Sequence, residues 1–527
     1  MGGSSSALFR RLSRRWRQRW RSFTSPTDAL PVDLVRALVG LVSVAYFWRT
    51  HLEAPAFSGP EGLIDHRLAR TIFWYTRLSL FHPRLGLRGF RAVYLLAVAG
   101  SLLLAAGVWP RPVSALLYAT AVSTYRWNFP VAYVDDGVMH LMLLWMALLP
   151  TGRTLALPEW LSQRRRAVAR WKVAQVPGAA VCCFLANLAL IYLVAGLWKW
   201  TSPLWRQGMA VYAVLKTAVA RTPDRWRPEH VPALSVAGYA ALALEPLIPV
   251  AFVLPPRHPL KWLLGAAMAV FHGGIIATMQ VPFANLACLA TAPLIFRHEI
   301  MARLRGESAG AAERPQDTTA GTTGETAAGT FDLSAKAAAL LVTCLVLAML
   351  WETLRPHWRS GTHPAVRANR QWAGRSVSAH HNPFYSVLWL AGLAQSYRLF
   401  DWIDEMNYHI TYDVVERRED GATRRLDDRA LFPRSLRSSL LQSYLHDIMW
   451  MKVPRPHLAG LQRSLFERYT RRFCRRCPDS GWIEVIAHVQ RTTRDNLRLG
   501  RTVGLPFLTF RCRDGEPQVR FARLATE

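Results

Sequence analysis

Residues 181–200 read VCCFLANLALIYLVAGLWKW. Apart from cysteine and tyrosine, the one ionisable residue among these twenty is Lys199. A run of about 20 apolar residues is the length that crosses a bilayer as a helix. An ionisable group inside such a run is costly, and it marks a functional-site hypothesis. The chain has 65 Lys and Arg residues, of which only Lys172, Lys199, Lys216, Lys261, Lys336 and Lys452 are lysine. Arg stays protonated, whereas a desolvated Lys can lose its proton. Lys199 is therefore a candidate base. A Lys close to a helix end can also snorkel to the membrane interface.

Working outward, further apolar runs place the expected spans near 31–50, 91–109, 112–130, 134–151, 178–200, 233–254, 262–282, 283–296 and 334–353. The fold class expected is a polytopic all-α transmembrane bundle of about 8–9 spans with a C-terminal extracytoplasmic α+β domain. The 527 residues are 51% hydrophobic, with a mean hydropathy of +0.08 because basic loops and a polar C-terminal part dilute the spans. The net charge of +30 comes without any nucleic-acid motif. It fits Arg-rich loops beside anionic lipid, so the bilayer is the expected partner and nucleic acid is not.

Residues 1–27 hold Phe9, Leu12, Trp16, Trp20 and Phe23 at helical spacing among arginines, which predicts a basic amphipathic helix on the membrane surface. No apolar core of a signal peptide precedes residue 30. The Lys/Arg loops at 1–30, 152–175 and after 296 fall on one side if the spans alternate, which predicts a cytoplasmic N-terminus. Residues 301–333 read as a flexible cytoplasmic linker, 334–353 as the last span, and 354–527 as the extracytoplasmic domain. In that domain NYHITYDVVERRED and WIEVIAHVQR are strand-like, Asp420-Gly421 and Asp514-Gly515 are hairpin turns, and helices are expected near 433–450 and 458–473.

Other residues carry possible chemistry. Glu245 lies mid-span before Pro246, and a carboxylate there must be paired, protonated or wet. Its alternative role is a structural hydrogen bond between helices. His272 is mid-span before Gly273 and Gly274; the alternative is a satisfied core histidine. Trp127 and Asn128 end one span, and Asp135 and Asp136 open the next. His140 lies one turn beyond Asp136, where a carboxylate would set its tautomer, although Asp is also a common N-cap. Cys474-Arg-Arg-Cys477 is open to two readings, a redox pair or a structural disulfide that takes in Cys512. No metal-ligand spacing is present.

Three of these segments, LIYLVAGLWKWTSPLWRQGMAV (190–211), VFHGGIIATMQVPFANLACLATAPLIF (270–296) and STYRWNFPVAYVDDGVMHLMLLWMALLPTG (123–152), occur in an order and spacing that resemble one family. This is the horizontally transferred transmembrane domain family, which includes vitamin K-dependent γ-carboxylase. The resemblance covers about residues 28–300. It implies that Lys199 is the general base that deprotonates a reduced vitamin K (menaquinol), with oxygen and carbon dioxide as co-reactants and a secreted protein or peptide as client. With the residues read above, the expected catalytic set is Lys199, His272, Glu245 and His140, with Trp127, Asn128, Asp136 and Trp198 around the cofactor. The residues depart from the animal carboxylase at Trp198-Lys199, where two lysines stand, and at Phe129-Pro130, where Asn-His stands. His140 would then act in place of that His. The other expectation is a non-catalytic maturation or export factor for a secreted protein or toxin peptide. Residues 391–415, AGLAQSYRLFDWIDEMNYHITYDVV, are similar to the extracytoplasmic start of a lipase maturation factor.

Overall fold

The computed structural model describes residues 25–306 apart from 60, 73–76, 129–130, 132–133 and 163–173. It further describes 337–345, 347–348, 408–432 apart from 419, and 456–521 apart from 479. The expected N-terminal helix up to residue 24, the linker beyond residue 306, most of the last span and the helix near 433–450 lie outside the described residues; residues 301–305, expected to open the linker, are instead the end of the helix Arg297–Arg305.

Strand β1 (Thr27–Asp28) leads into α1 (Ala29–Phe57), followed by α2 (His66–Ile72), α3 (Gly86–Ala106), α4 (Pro110–Trp127) and α5 (Val134–Leu148). Then come β2 (Gln175–Val176), α6 (Gly178–Thr201), α7 (Ala210–Lys216), α8 (Val231–Leu247) and α9 (Val250–Val253). The bundle ends with α10 (Pro259–Thr278), α11 (Pro282–Leu289), α12 (Ala292–Ile295) and α13 (Arg297–Arg305). We call the end where α1 begins proximal and the opposite end distal.

Among the described residues, five helices are long and apolar enough to cross a membrane: Ala29–Phe57, Pro83–Ala106, Gly178–Thr201, Pro228–Val253 and Pro259–Thr278. Three of the expected nine spans fall short of that length or composition, and the ninth lies mostly outside the described residues. Residues 112–130 fold as the 18-residue α4, with Arg111 and Arg126 near its ends. Residues 134–151 give the 15-residue α5, which opens with two buried aspartates. Residues 283–296 break into α11 and α12, and of 334–353 only nine helical residues, 337–345, and 347–348 are described. The outer surface of the bundle is apolar: Leu96, Leu116, Val236, Leu263 and Val270 are all more than 60% exposed. In water such a surface would be an association liability, whereas lipid accepts it.

Buried polar contacts fix the helix ends. Asp33 receives the backbone N–H groups of Gly152, Thr154 and Leu155, and the Thr154 hydroxyl. Arg36, one turn on, donates to the carbonyls of Leu104, Ala105 and Leu155. A Cβ on Gly40 would stand 2.6 Å from Ala105 N, so glycine is what lets α1 and α3 touch at the same end. Together these residues tie α1 to the end of α3 and to the loop after α5, and they satisfy carbonyls that a helix end leaves open.

The C-terminal part is an antiparallel sheet of order β4-β3-β5-β6-β7, made of β3 (Tyr408–Arg417), β4 (Thr423–Leu426), β5 (Trp482–Arg491), β6 (Val503–Arg513) and β7 (Glu516–Phe521). Both expected Asp-Gly turns close hairpins, β3–β4 and β6–β7. Period-two alternation on β5 buries Ile483, Val485, Ala487 and Val489. The register shifts between Val485 and Ile486, where Pro506 on β6 cannot donate to the ladder. Helix α14 (Pro456–Cys474) covers this face with Leu461, Leu465, Tyr469 and Phe473 at helical spacing. Cys474 pairs with Cys512, so the disulfide joins α14 to β6, and Cys477 stays a free, exposed thiol. The Cys474–Cys477 redox pair is thus not formed.

The sheet domain docks on the distal end of the bundle. Arg468 donates to Gly62 O and faces Asp65 at 3.5 Å. Arg475 pairs with Glu61 at 2.9 Å, and Arg472 donates to Pro55 O. The domain core continues into Phe57, Leu63, Ile64 and Ala69 without a break.

Candidate functional site

Helix α6 presents Tyr192, Gly196 and Lys199 along one face, at i, i+4 and i+7. All three are buried. Where α6 meets α8, a Cβ on Gly196 would stand 2.9 Å from Pro246 Cδ and 3.5 Å from Glu245 Cβ. Glycine therefore permits a crossing close enough for Lys199 to reach Glu245. The two side chains, 2% and 3% exposed, form an ion pair through Nζ and Oε1. The ammonium also sits 5.1 Å from the centre of the Trp205 ring, a cation–π position. Oε2 of Glu245 is buried and has no hydrogen-bond partner among the described residues. Lys199 thus does not snorkel, although it is near the end of its helix.

Two turns down the same face, Tyr192 Oη is 2.7 Å from His272 Nε2. His272 Nδ1 is 2.7 Å from Asn285 Oδ1. Asn285 donates its amide N–H to Val281 O, which fixes the amide orientation and leaves Oδ1 as the acceptor. The ring therefore carries its hydrogen on Nδ1 and accepts the Tyr192 hydroxyl at Nε2. Asn285 is held in turn by the placement of α11. Asp135 on α5 accepts the backbone N–H groups of Phe283 (3.3 Å) and Ala284 (2.8 Å), capping α11 from another helix. The chain Asp135, α11, Asn285, His272, Tyr192 thus runs to the face that carries Lys199.

Of the expected catalytic residues, Lys199 and Glu245 are in direct contact, and His272 joins their α6 face through Tyr192. His140 is fully buried on α5 and packs edge-on against Tyr125, with ring centres 5.4 Å apart. Asp136, expected to orient His140, accepts the Tyr46 hydroxyl at 2.7 Å. Trp127 and Asn128, expected around a cofactor, hold the turn after α1: Trp127 Nε1 donates to Ser58 O and Asn128 Nδ2 to Ser58 Oγ. The Trp127 ring stacks on His66 at 4.2 Å. Trp198 is buried beside Lys199 in sequence. Among the described residues no cluster of His, Cys, Asp and Glu suits a metal ion.

Sequence reading did not single out Tyr192, Asn285, or Gly196 against Pro246. Tyr192 was legible in principle, seven residues before Lys199 on one helix face. Asn285, a lone amide in the apolar run 281–296, was a second signal of the kind that marked Glu245. The contact of Gly196 with Pro246 joins two helices 50 residues apart, and no local pattern announces it.

Searched against protein-family models, curated proteins and solved structures, the chain matches none.

Proposed function

We propose that this chain is an integral membrane enzyme of the γ-carboxylase-like type, in which Lys199 acts as general base toward a hydroxyl-bearing cofactor and the C-terminal domain holds a secreted protein or peptide. The observation that carries this reading is the buried Lys199–Glu245 contact. An ammonium and a carboxylate taken out of water lose hydration that their attraction only partly returns. Glu245, in direct contact with Nζ, is placed to take up its proton, and Lys199 is then placed to act as the base.

The residues fit the reduced quinone that the resemblance implies. Glu245 Oε2 is an orphaned buried acceptor next to Lys199, and a hydroxyl hydrogen satisfies it. When bound, that cofactor would supply the acidic hydroxyl and the reducing power, with oxygen and carbon dioxide as co-reactants. Tyr192, on the same α6 face, hydrogen-bonds His272 on α10, and this chain keeps the site ordered.

The reading includes an 8–9 span topology, in which α4, α5 and the α11–α12 pair complete the bundle. The proximal end is cytoplasmic, because Arg153, Arg297, Arg303 and Arg305 belong to it. The distal end and the sheet domain are then extracytoplasmic, in keeping with the Cys474–Cys512 disulfide.

The test is mass spectrometry of secreted proteins from cells with the chain, without it, and with Lys199→Ala. A carboxylated Glu or other modification that needs Lys199 is expected. Normal modification in the Lys199→Ala cells would sink the proposal. A second reading, a non-catalytic maturation factor, draws on the docking of the sheet domain through Arg468–Asp65 and Arg475–Glu61. It expects Lys199→Ala to work normally and the variant Arg468→Ala/Arg475→Ala to lose client processing.

A further inference from the structure

A slot of about 230 Å³ lies at the proximal end of the bundle, between α6 and α9, away from Lys199. Its walls are Val181, Leu185, Ala189, Pro249, Phe252 and Val253. Val253 is 61% exposed, so the slot opens sideways on the apolar exterior. From Gly178 to Ala189 is 11 residues of helix, about 16 Å at 1.5 Å per residue, half of a hydrocarbon core of about 30 Å. That is the depth of one leaflet.

The mouth differs from the walls. Arg297 and His298, the first residues of α13, line it. The acid nearest in sequence, Glu299, is already engaged by Lys261 at 2.8 and 3.0 Å. Among the described residues Arg297 makes no ion pair, and its hydrogen bond goes to Leu294 O at 3.1 Å. A guanidinium held at the end of an apolar slot one leaflet deep is complementary to an anion that carries a hydrocarbon chain.

We infer that this slot binds one anionic glycerophospholipid, with its phosphate on Arg297 and His298 and an acyl chain along α6. A neutral prenyl tail would fill the walls equally well but would gain nothing from Arg297. Charge therefore favours the phospholipid. The inner end, Ala189 and Pro249, is one turn from Tyr192 and from Glu245. A bound chain would seal the candidate site from the proximal side. The inference rests on the slot alone and stands apart from the proposed activity.

The test is native mass spectrometry of the full chain in detergent, titrated with dioleoyl phosphatidylglycerol, dioleoyl phosphatidylcholine, sodium phosphate and a short-chain menaquinone. Phosphatidylglycerol is expected to bind about tenfold tighter than phosphatidylcholine, because both bring a phosphate to Arg297 but only choline adds a cation that the guanidinium repels. Arg297→Gln should remove that preference. Val253→Trp, at an exposed position where folding is not at stake, should block the slot to both lipids. Equal affinity for the two lipids, or an unchanged preference in Arg297→Gln, overturns the inference. So does displacement of phosphatidylglycerol by an equal concentration of free phosphate or of menaquinone, which would make it an anion site or a prenyl site instead.

Discussion

Gly196 lies against Pro246: a side chain on the glycine would meet the proline ring at 2.9 Å and the proline backbone nitrogen at 3.3 Å. Neither is the far end of a flexible side chain, so the clash relaxes only by parting α6 from α8. Gly196→Ala is expected to cost about 1–3 kcal/mol, as overpacking of a fitted interface does. It should also lengthen the Lys199–Glu245 contact. Thermal unfolding in detergent measures the first effect, and client modification in cells the second. Activity that survives in a variant with a clearly lowered midpoint would show that the close crossing serves stability only.

The His66 ring, buried at the distal end of the bundle, sets a pH dependence. It is buried between Phe57 and Trp127, and burial pushes it down to about 4, although contacts to Phe57 O at 2.7 Å and Trp127 O at 3.1 Å favour the charged form. The unfolded chain takes up this proton near 6.5, so between about 6.5 and 4 it binds more protons than the folded one. Stability is full above that window and falls as the pH drops through it, by about 3 kcal/mol in all. Unfolding midpoints measured at pH 7.5 and 4.5 should therefore differ more for the wild-type chain than for His66→Gln. Equal pH slopes would remove His66 as the cause.

The disulfide gives a separate test of the sheet domain. Cys474 and Cys512 are 38 residues apart, and closing a loop of that length stabilises by about 4 kcal/mol in the chain-entropy account. Cys474→Ser should lower the unfolding midpoint of the domain and expose it to protease. Cys477→Ser should leave both unchanged, because that thiol is free and exposed. If Cys477→Ser proved as damaging as Cys474→Ser while Cys512→Ser did not, the pairing would be Cys474–Cys477 and the redox reading would return.

Much of this architecture is legible in the chain because one physical signal dominates it. A run such as 181–200 has few options besides a membrane-length helix, and the alternation in 482–491 has few besides a half-buried strand. Helix lengths were less legible. Asp135 and Asp136 open α5, but the sequence does not say that one caps α11 and the other accepts Tyr46. Those partners are about 90 and 150 residues away, beyond the reach of any local pattern. In the candidate site the costly groups, Lys199, Glu245 and His272, announced themselves by burial cost alone. Their organisation did not, since it depends on how α6, α8, α10 and α11 cross. For the same reason the sequence does not say that Trp127 and Asn128, which share a motif with Asp136, hold the turn at Ser58.

Lys199 and Glu245 offer the sharpest separation of structure from chemistry. Lys199→Met leaves a buried carboxylate without its cation, and Glu245→Leu leaves a buried ammonium without its anion. Each single change should cost about 3–5 kcal/mol, whereas the double variant removes both charges and should regain most of that loss. If the pair serves only to join α6 to α8, client processing should return with stability in Lys199→Met/Glu245→Leu. If Lys199 is the base, the double variant folds as well as the wild type, inserts normally and modifies no client. Unfolding midpoints of the four proteins, read beside mass spectrometry of the secreted client, distinguish the two outcomes, because a lost activity can no longer be charged to a lost fold.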